Sequence, residues 1–405
     1  MDEIEREAAV DRLRTRFDAG PTAIEATDTG GSASETVGPE AIGGRVLTEA
    51  VVAPSTVPAR PFATMDGFAL AAGDDAPRRI AGRVDPADDP GALADGTAVR
   101  IATGAPLPEG ADAVVPVEHA TVEGDRLVGA APVPEPGAHL FPAGASATEG
   151  EVLFEPGRRL APRHAALLCD LGIDRLAVAP RRSAAVLATG TEIVRGDQPD
   201  RDSAMLANLL RGWGCVPTVL DPVPDERERV ASAIEAAAAD HDLVVTAGGT
   251  SVGAGDHVGD ALADHDPLFA GVALRPGRPT TAAVVDGTPV CAFPGKPLAA
   301  HTAATLVLGP ALVDSADAAT VTATATSRVA FPSDSVEYAV PVALDDGDVT
   351  PVGQGDGPEA LYGERFRPGR VASATRATLA DGLLVTDDDV AAGDRVAVTP
   401  YGVIE

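Results

Sequence analysis

Between residues 243 and 299 the chain runs LVVTAGGTSVGAGDH, then LRPGRPTTAAV, then VCAFPGKPLA. An apolar strand leads into a glycine loop, Arg275 and Arg278 sit between prolines, and Lys296 stands on a Pro-Gly turn. Lys296 is the only lysine in the sequence. A second turn of the same kind, Thr189-Gly190-Thr191-Glu192, follows the apolar run SAAVLA. Glycines let backbone N–H groups approach an anion closely, and Thr and Ser add hydroxyl donors. An arginine fork grips phosphate or another oxyanion with paired donors, at about 1.5–3 kcal/mol per charge-assisted bond. The anion-binding candidates are therefore Thr189, Gly190, Gly248, Gly249, Ser251, Arg275, Arg278, Gly295 and Lys296.

Each group also has a plainer reading. The glycine loops are turns, the arginines are salt-bridged surface residues, and Glu192 and Asp256 are solvated loop carboxylates or caps. Convergence separates the two readings, because four distant segments deliver such groups to one face of one sheet.

The elements that must position them read as follows. Residues 1–19 place Ile4, Val10, Leu13 and Phe17 at helical spacing, and the stretch TDTGGSASETVGP after them reads as a linker. From 43 to 140 short strands such as RVLTEAVV, AVRI and ADAVVPVE alternate with Gly and Pro turns, as in a small β-rich domain. Residues 160–179 read as a helix ending at Gly172, then a strand. From 182 the order is strand SAAVLAT, helix MLANLLRGWG, strand VPTVLDPV, helix ERERVASAIEAAAA with Asp225 as its N-cap, and strand LVVTA. That βαβαβ order predicts a mostly parallel sheet with helices on both faces, whose strand carboxyl ends form the ligand crevice. A final β-rich unit fills about 320–405, through EYAVPVAL, GLLVT and RVAVTPY.

Composition narrows the function. At 405 residues the chain suits two to four domains, and with 3% aromatic residues Ala and Val must carry much of the packing. Lys+Arg total 31 against Asp+Glu 61, a formal charge of -30, which argues against affinity for nucleic acid or an anionic membrane. Such a balance suits a very salty cytoplasm, where at about 1 M salt the Debye length is only ~3 Å and surface carboxylates repel weakly. A GC-rich genome that replaced lysine codons gives the same bias. Cys169, Cys215 and Cys291 lie far apart, so neither a disulfide framework nor a zinc site is expected. No apolar run approaches the ~20 residues of a membrane span, and a cytoplasmic location is expected.

Four stretches together resemble the molybdopterin molybdenumtransferase family, the MoeA proteins and the gephyrin E domain. They are PFATMDGFAL at 61–70, RIATGAPLPEGADAVVPVEH at 100–119, ATGTEIV at 188–194 and TAGGTSVGAGD at 246–256. LRPGRPT and FPGKPLA follow in the family's order. The resemblance implies an α/β multidomain subunit: a linker domain from 1–58 and 135–181, an inserted β-rich domain at 59–134, a MogA-like, molybdopterin-binding doubly wound α/β domain at 182–315 and a C-terminal β-barrel at 320–405. It implies a homodimer with the active cleft between subunits, and a molybdopterin adenylyltransferase as a partner. The implied reaction joins molybdate to adenylylated molybdopterin with Mg²⁺, giving molybdenum cofactor and AMP. Carried over position by position, the resemblance makes Asp66, Thr103, Glu192 and Asp256 catalytic, with Glu192 and Asp66 as metal ligands, and sets Arg275 and Arg278 where the family has lysines.

This sequence departs from the family's pattern in places. Thr191 stands where aspartate is usual, Ser146 near Gly144 where an acidic residue is usual, and Asp200-Arg201-Asp202 for Asp-Ser-Asn. Lys296 replaces an asparagine and Thr250 a valine. These departures keep alternatives open: a non-catalytic molybdopterin-binding carrier or scaffold, a tungstate-preferring enzyme, or an adenylyltransferase, which shares the α/β domain alone.

Overall fold

The structure, a computed structural model, describes residues 3–18, 34–249, 257–313, 319–332 and 336–405. These form two compact units, one of residues 34–180 and one of residues 3–18 with 181–405.

The first unit is built on a six-stranded sheet. Its strands are β1 (Gly67–Leu70), β2 (Arg78–Val84), β3 (Thr97–Ile101), β4 (Ala113–Pro116), β5 (Ala120–Glu123) and β6 (Arg126–Ala130), in the order β4-β1-β3-β2-β6-β5. Alternation along β1 and β4 sends Phe68, Leu70, Ala113 and Val115 to one apolar cluster and Ala69 and Val114 to another. Both faces are therefore covered, as the period-2 side-chain geometry requires. Smaller pairings complete the unit, with Glu35–Val37 antiparallel to Leu176–Val178 and Val51–Val52 antiparallel to Val152–Phe154. The segment ETV, expected within a linker, is thus a strand. Val37 packs against the cluster that buries Leu176 and Val178, and this contact holds it in the pairing.

The second unit contains a sheet with helices on both faces and a barrel. Helix α1 (Arg6–Asp18) precedes it in sequence. The sheet strands are β7 (Ser183–Ala188), β8 (Val216–Val219), β9 (Leu243–Ala247), β10 (Asp266–Ala270), β12 (Thr281–Val285) and β13 (Thr288–Phe293), in the order β8-β7-β9-β13-β12-β10. A short strand β11 (Leu274–Arg275) lies outside this sheet. Strands β8, β7, β9 and β13 run parallel, and β12 and β10 add antiparallel pairs.

The longer helices among them are α2 (Ser203–Gly212), α3 (Arg227–Asp240), α4 (His257–Ala263) and α5 (Pro297–Ala303). Ala184, Val186, Val245 and Phe293 face a cluster shared with α1, α2 and α5, whereas Ala185, Leu187, Val244 and Ala292 face one shared with α3 and α4. Burial on both faces is the reason these strands read as continuous apolar runs.

In the last part β14 (Val321–Ala325), β15 (Glu337–Asp345), β16 (Asp348–Pro351), β17 (Gly382–Thr386) and β18 (Arg395–Pro400) close into a five-stranded barrel in the order β15-β16-β14-β18-β17, closed by β15–β17 pairing, with β11 added on β15. Its interior holds Tyr338, Val340, Phe366 and Val398.

Helix α1 begins at Arg6, so Ile4 lies before the helix and forms a parallel bridge with Val272. Ala9, Val10, Leu13 and Phe17 are buried with Phe269 and Val272. The helix, expected with the linker domain, therefore groups with residues 181–405, because its apolar stripe is covered there. Truncating Leu13, 1% exposed, tests that attachment. Leu13→Ala is expected to cost about 2–4 kcal/mol in urea unfolding.

Candidate functional site

Parallel strands end their ladders on the same edge, and here three loops leave that edge together. The Thr189 N–H donates to the Ala247 carbonyl at 3.0 Å, and the Gly248 N–H to the Phe293 carbonyl at 3.1 Å. The pairing of β7, β9 and β13 thus continues one residue beyond the strands. Gly248 has φ +98, and a Cβ there would lie 2.6 Å from the Thr189 carbonyl oxygen. A Cβ on Gly295 would lie 2.9 Å from the Gly248 Cα. Only glycine permits this approach of two loop backbones.

A cleft of about 640 Å³ opens over these loops. Of the expected residues it brings together Thr189, Glu192, Gly248, Gly249, Arg275, Arg278, Gly295 and Lys296. Gly190 is not among the lining residues, but its N–H donates to the Val223 carbonyl and so fixes the turn that carries Glu192. Thr189 is buried, and its hydroxyl has no partner among the described residues. Lys296 is exposed, and its carbonyl accepts the Ala300 N–H at the start of α5. Arg275 is held by the pairing of β11 with β15, opposite Tyr338. Arg278 does have a salt-bridge partner, since its Nε donates to Glu3 Oε2 at 2.6 Å. Ser251 and Asp256, and the Thr250 departure, lie outside the described residues.

The cleft also holds carboxylates. Besides Glu192 it is lined by Asp200, Asp202 and Asp225. Asp225 is not the cap of α3, which begins at Arg227 after Glu226. Its carboxylate instead accepts the Thr191 N–H, while its own N–H donates to the Thr191 hydroxyl, both at 3.1 Å. The Thr191 departure therefore fastens the loop after β7 to the segment after β8. The start of α2 is capped by Asp200, whose Oδ1 accepts the N–H groups of Asp202 and Ser203. Asp202 is 8% exposed, and its Oδ1 has no partner among the described residues. Burial, then the nearby Asp200 charge, push its carboxyl up to about 6, with Arg201 opposing. Pro368, Gly369 and Ala372 close the cleft from the last part of the chain, and no sequence pattern singled them out.

Asp66 and Thr103 belong to the other unit. Register brings them together, because Gly67 pairs with Ile101 across β1 and β3. Asp66 Oδ1 accepts the Thr103 backbone N–H at 2.7 Å and its hydroxyl at 2.8 Å. Those two donors hold the exposed Asp66 carboxyl below its ordinary value. Ser146 donates its N–H to the Val57 carbonyl in the same unit.

The family models that match are the MoeA N-terminal region (domain I and II) over residues 6–172 and a probable molybdopterin binding domain over residues 185–314. A molybdopterin molybdenumtransferase 2 of Mycobacterium tuberculosis is 33% identical over 292 residues, covering 66% of this chain and 72% of the relative. The chain belongs to the molybdopterin molybdenumtransferase family. Another member, from Synechococcus elongatus, is 32% identical over 294 residues, covering 67% of this chain and 73% of that protein. A MoeA protein of Pyrococcus horikoshii has the same fold, with TM-score 0.77 at 21% identity over 99% of this chain and 100% of that one. The anion-friendly edge of β7, β9 and β13 thus falls inside the stretch matched by the molybdopterin-binding model.

Two titrations follow from this transferase's geometry. Folded Asp202 binds its proton more tightly than the ordinary 3.8. Its ionisation therefore opposes folding above about pH 6, and the cost disappears as pH falls toward 4. Asp202→Asn is expected to raise stability by about 1–3 kcal/mol at pH 8, with the gain vanishing near pH 4 in paired urea titrations. Asp66 shifts the opposite way, so Thr103→Ala is expected to raise its carboxyl titration in NMR toward the ordinary value.

Proposed function

We propose that this chain inserts molybdate into adenylylated molybdopterin in a Mg²⁺-dependent reaction, releasing molybdenum cofactor and AMP. The observation that carries this reading is the cleft itself. Arg275, Arg278, Lys296 and the Gly248–Gly249 backbone converge at the carboxyl ends of three parallel strands. Molybdate, a dithiolate and phosphates are all anionic, so gathering them requires fixed cations and backbone donors. In this reading Arg275, Arg278 and Lys296 hold the oxyanions, and the glycine turns let phosphate approach the backbone closely.

Among the described residues no group of three or more His, Cys, Asp or Glu side chains forms a protein cage for a metal. Mg²⁺ characteristically takes only one or two carboxylates and completes its shell with phosphates and water. Glu192 in the cleft fits that demand as the first ligand, and in this reading the second, Asp66, comes from the other subunit of the proposed homodimer. Bound there, the ion offsets phosphate charge and polarises the phosphoanhydride. Glu192, Asp200, Asp202 and Asp225 keep the cleft carboxylate-rich despite the Thr191 departure, which favours an enzyme over a non-catalytic carrier.

The reading includes the four-part division given by the resemblance, a cytoplasmic homodimer with an active site shared between subunits, and an adenylyltransferase as the source of substrate. Purified protein at high salt, given adenylylated molybdopterin and molybdate, is expected to release AMP in step with cofactor formed, and to stop when EDTA removes divalent cation. Arg275→Ala and Glu192→Gln are each expected to cut kcat/KM about 100-fold or more. AMP release without cofactor would end this reading. If the site is shared between subunits, mixing inactive Asp66→Asn and Glu192→Gln proteins restores part of the activity. Failure to recover any would remove that feature.

A further inference from the structure

The cation at one wall of the cleft is tied to the beginning of the chain. Arg278 Nε donates to Glu3 Oε2 at 2.6 Å, across 275 positions of sequence. Backbone geometry sets this meeting. The Ile4 N–H donates to the Gly271 carbonyl at 3.1 Å, and the Ala273 N–H donates to the Ile4 carbonyl at 2.8 Å. Between those two bonds, the Val272 N–H donates to the Arg278 carbonyl at 2.9 Å. One residue, Val272, thus has Ile4 bridged beside it and the Arg278 backbone bonded to it.

Two further anchors hold the same segment. Arg6 donates through two nitrogens to Glu337 on β15, at 2.7 and 3.0 Å. Helix α1 then buries Ala9, Val10 and Leu13. Glu3 is consequently delivered to a fixed place, and its side chain is only 25% exposed against 59% for Arg278.

We propose that Glu3 is a positioning residue for Arg278, holding its Nε edge so that the remaining N–H donors of the guanidinium face the anion bound in the cleft. The inference rests on the cleft being the anion site. A half-exposed ion pair adds little to stability. What it changes is freedom: an arginine held on one edge has less rotamer entropy to lose when an oxyanion arrives. Lysine, a point charge on a flexible stem, has no such edge to hold.

The test is calorimetric binding of adenylylated molybdopterin to the full chain in the absence of molybdate, so that turnover does not enter. Glu3→Gln is expected to weaken Kd about two- to fivefold with the melting temperature unchanged. In an Arg278→Lys background the same Glu3 change is expected to have no further effect. Arg6→Ala, which loosens the segment while keeping Glu3, is expected to weaken binding in the same direction. If Arg278→Ala weakens binding but Glu3→Gln does not, Glu3 is only a tether and the proposal is overturned, with the cleft reading intact. If Arg278→Ala leaves binding unchanged, or the unaltered chain does not bind, the cleft reading itself fails and the proposal with it.

Discussion

Burial of β7, β9 and β13 on both faces is the constraint from which the site follows. Helices α1, α2 and α5 cover one side and α3 and α4 the other, so neither face of these strands is open to a ligand. The strands are parallel, and their carboxyl ends therefore lie level on one edge. At that edge the backbone of Gly248 touches that of Gly295, which excludes any side chain from the contact. Main chain is consequently exposed to the cleft at that contact, with the Gly248 N–H already given to the Phe293 carbonyl. Cations are then added from the rims: Lys296 from the turn into α5, and Arg275 from a short strand held by the barrel.

Charge explains why the rims need such firm support. With a formal charge of -30, the mean field of this chain repels anions. A few cations do not reverse that field at a distance, and screening by salt draws their attraction further in toward contact. Selectivity must therefore come from contact geometry. The holding of Arg275 opposite Tyr338 and of Arg278 beside Glu3 meets that need more directly than additional positive charge would. In the proposed reaction the cleft carboxylates would share a divalent ion with phosphate; unshared they add to the repulsion.

Much of this was legible in the sequence, for a physical reason. Strands buried on both faces write continuous apolar runs, so β7, β9 and the βαβαβ order were visible, as were the barrel strands around EYAVPVAL, GLLVT and RVAVTPY. Glycines forced by close approach were visible for the same reason. Contacts between distant segments leave no such trace. Asp225 looked like a helix cap because it precedes a helix, yet its partner is Thr191, 34 positions away. The attachment of α1 was hidden because an amphipathic helix shows that it has an apolar stripe but not what covers it. Glu3 was one acidic residue among many, and only the bridge of Ile4 to Val272 gives it a target.

Asp66 and Asp202 show the same limit at the scale of a single side chain. Both are aspartates followed by a small residue, Gly67 and Ser203. Asp66 is fully exposed, and strand register alone gives its Oδ1 two donors from Thr103, 37 positions away, so the charged form is favoured. Asp202 is buried at the N-cap of α2 but its side chain makes no capping hydrogen bond, while Asp200 accepts the Asp202 and Ser203 N–H groups. Its Oδ1 has no donor among the described residues, and the carboxyl holds its proton more tightly than usual. The cost of ionising Asp202 is therefore not offset by capping α2. A neutral residue there would therefore favour stability above about pH 6.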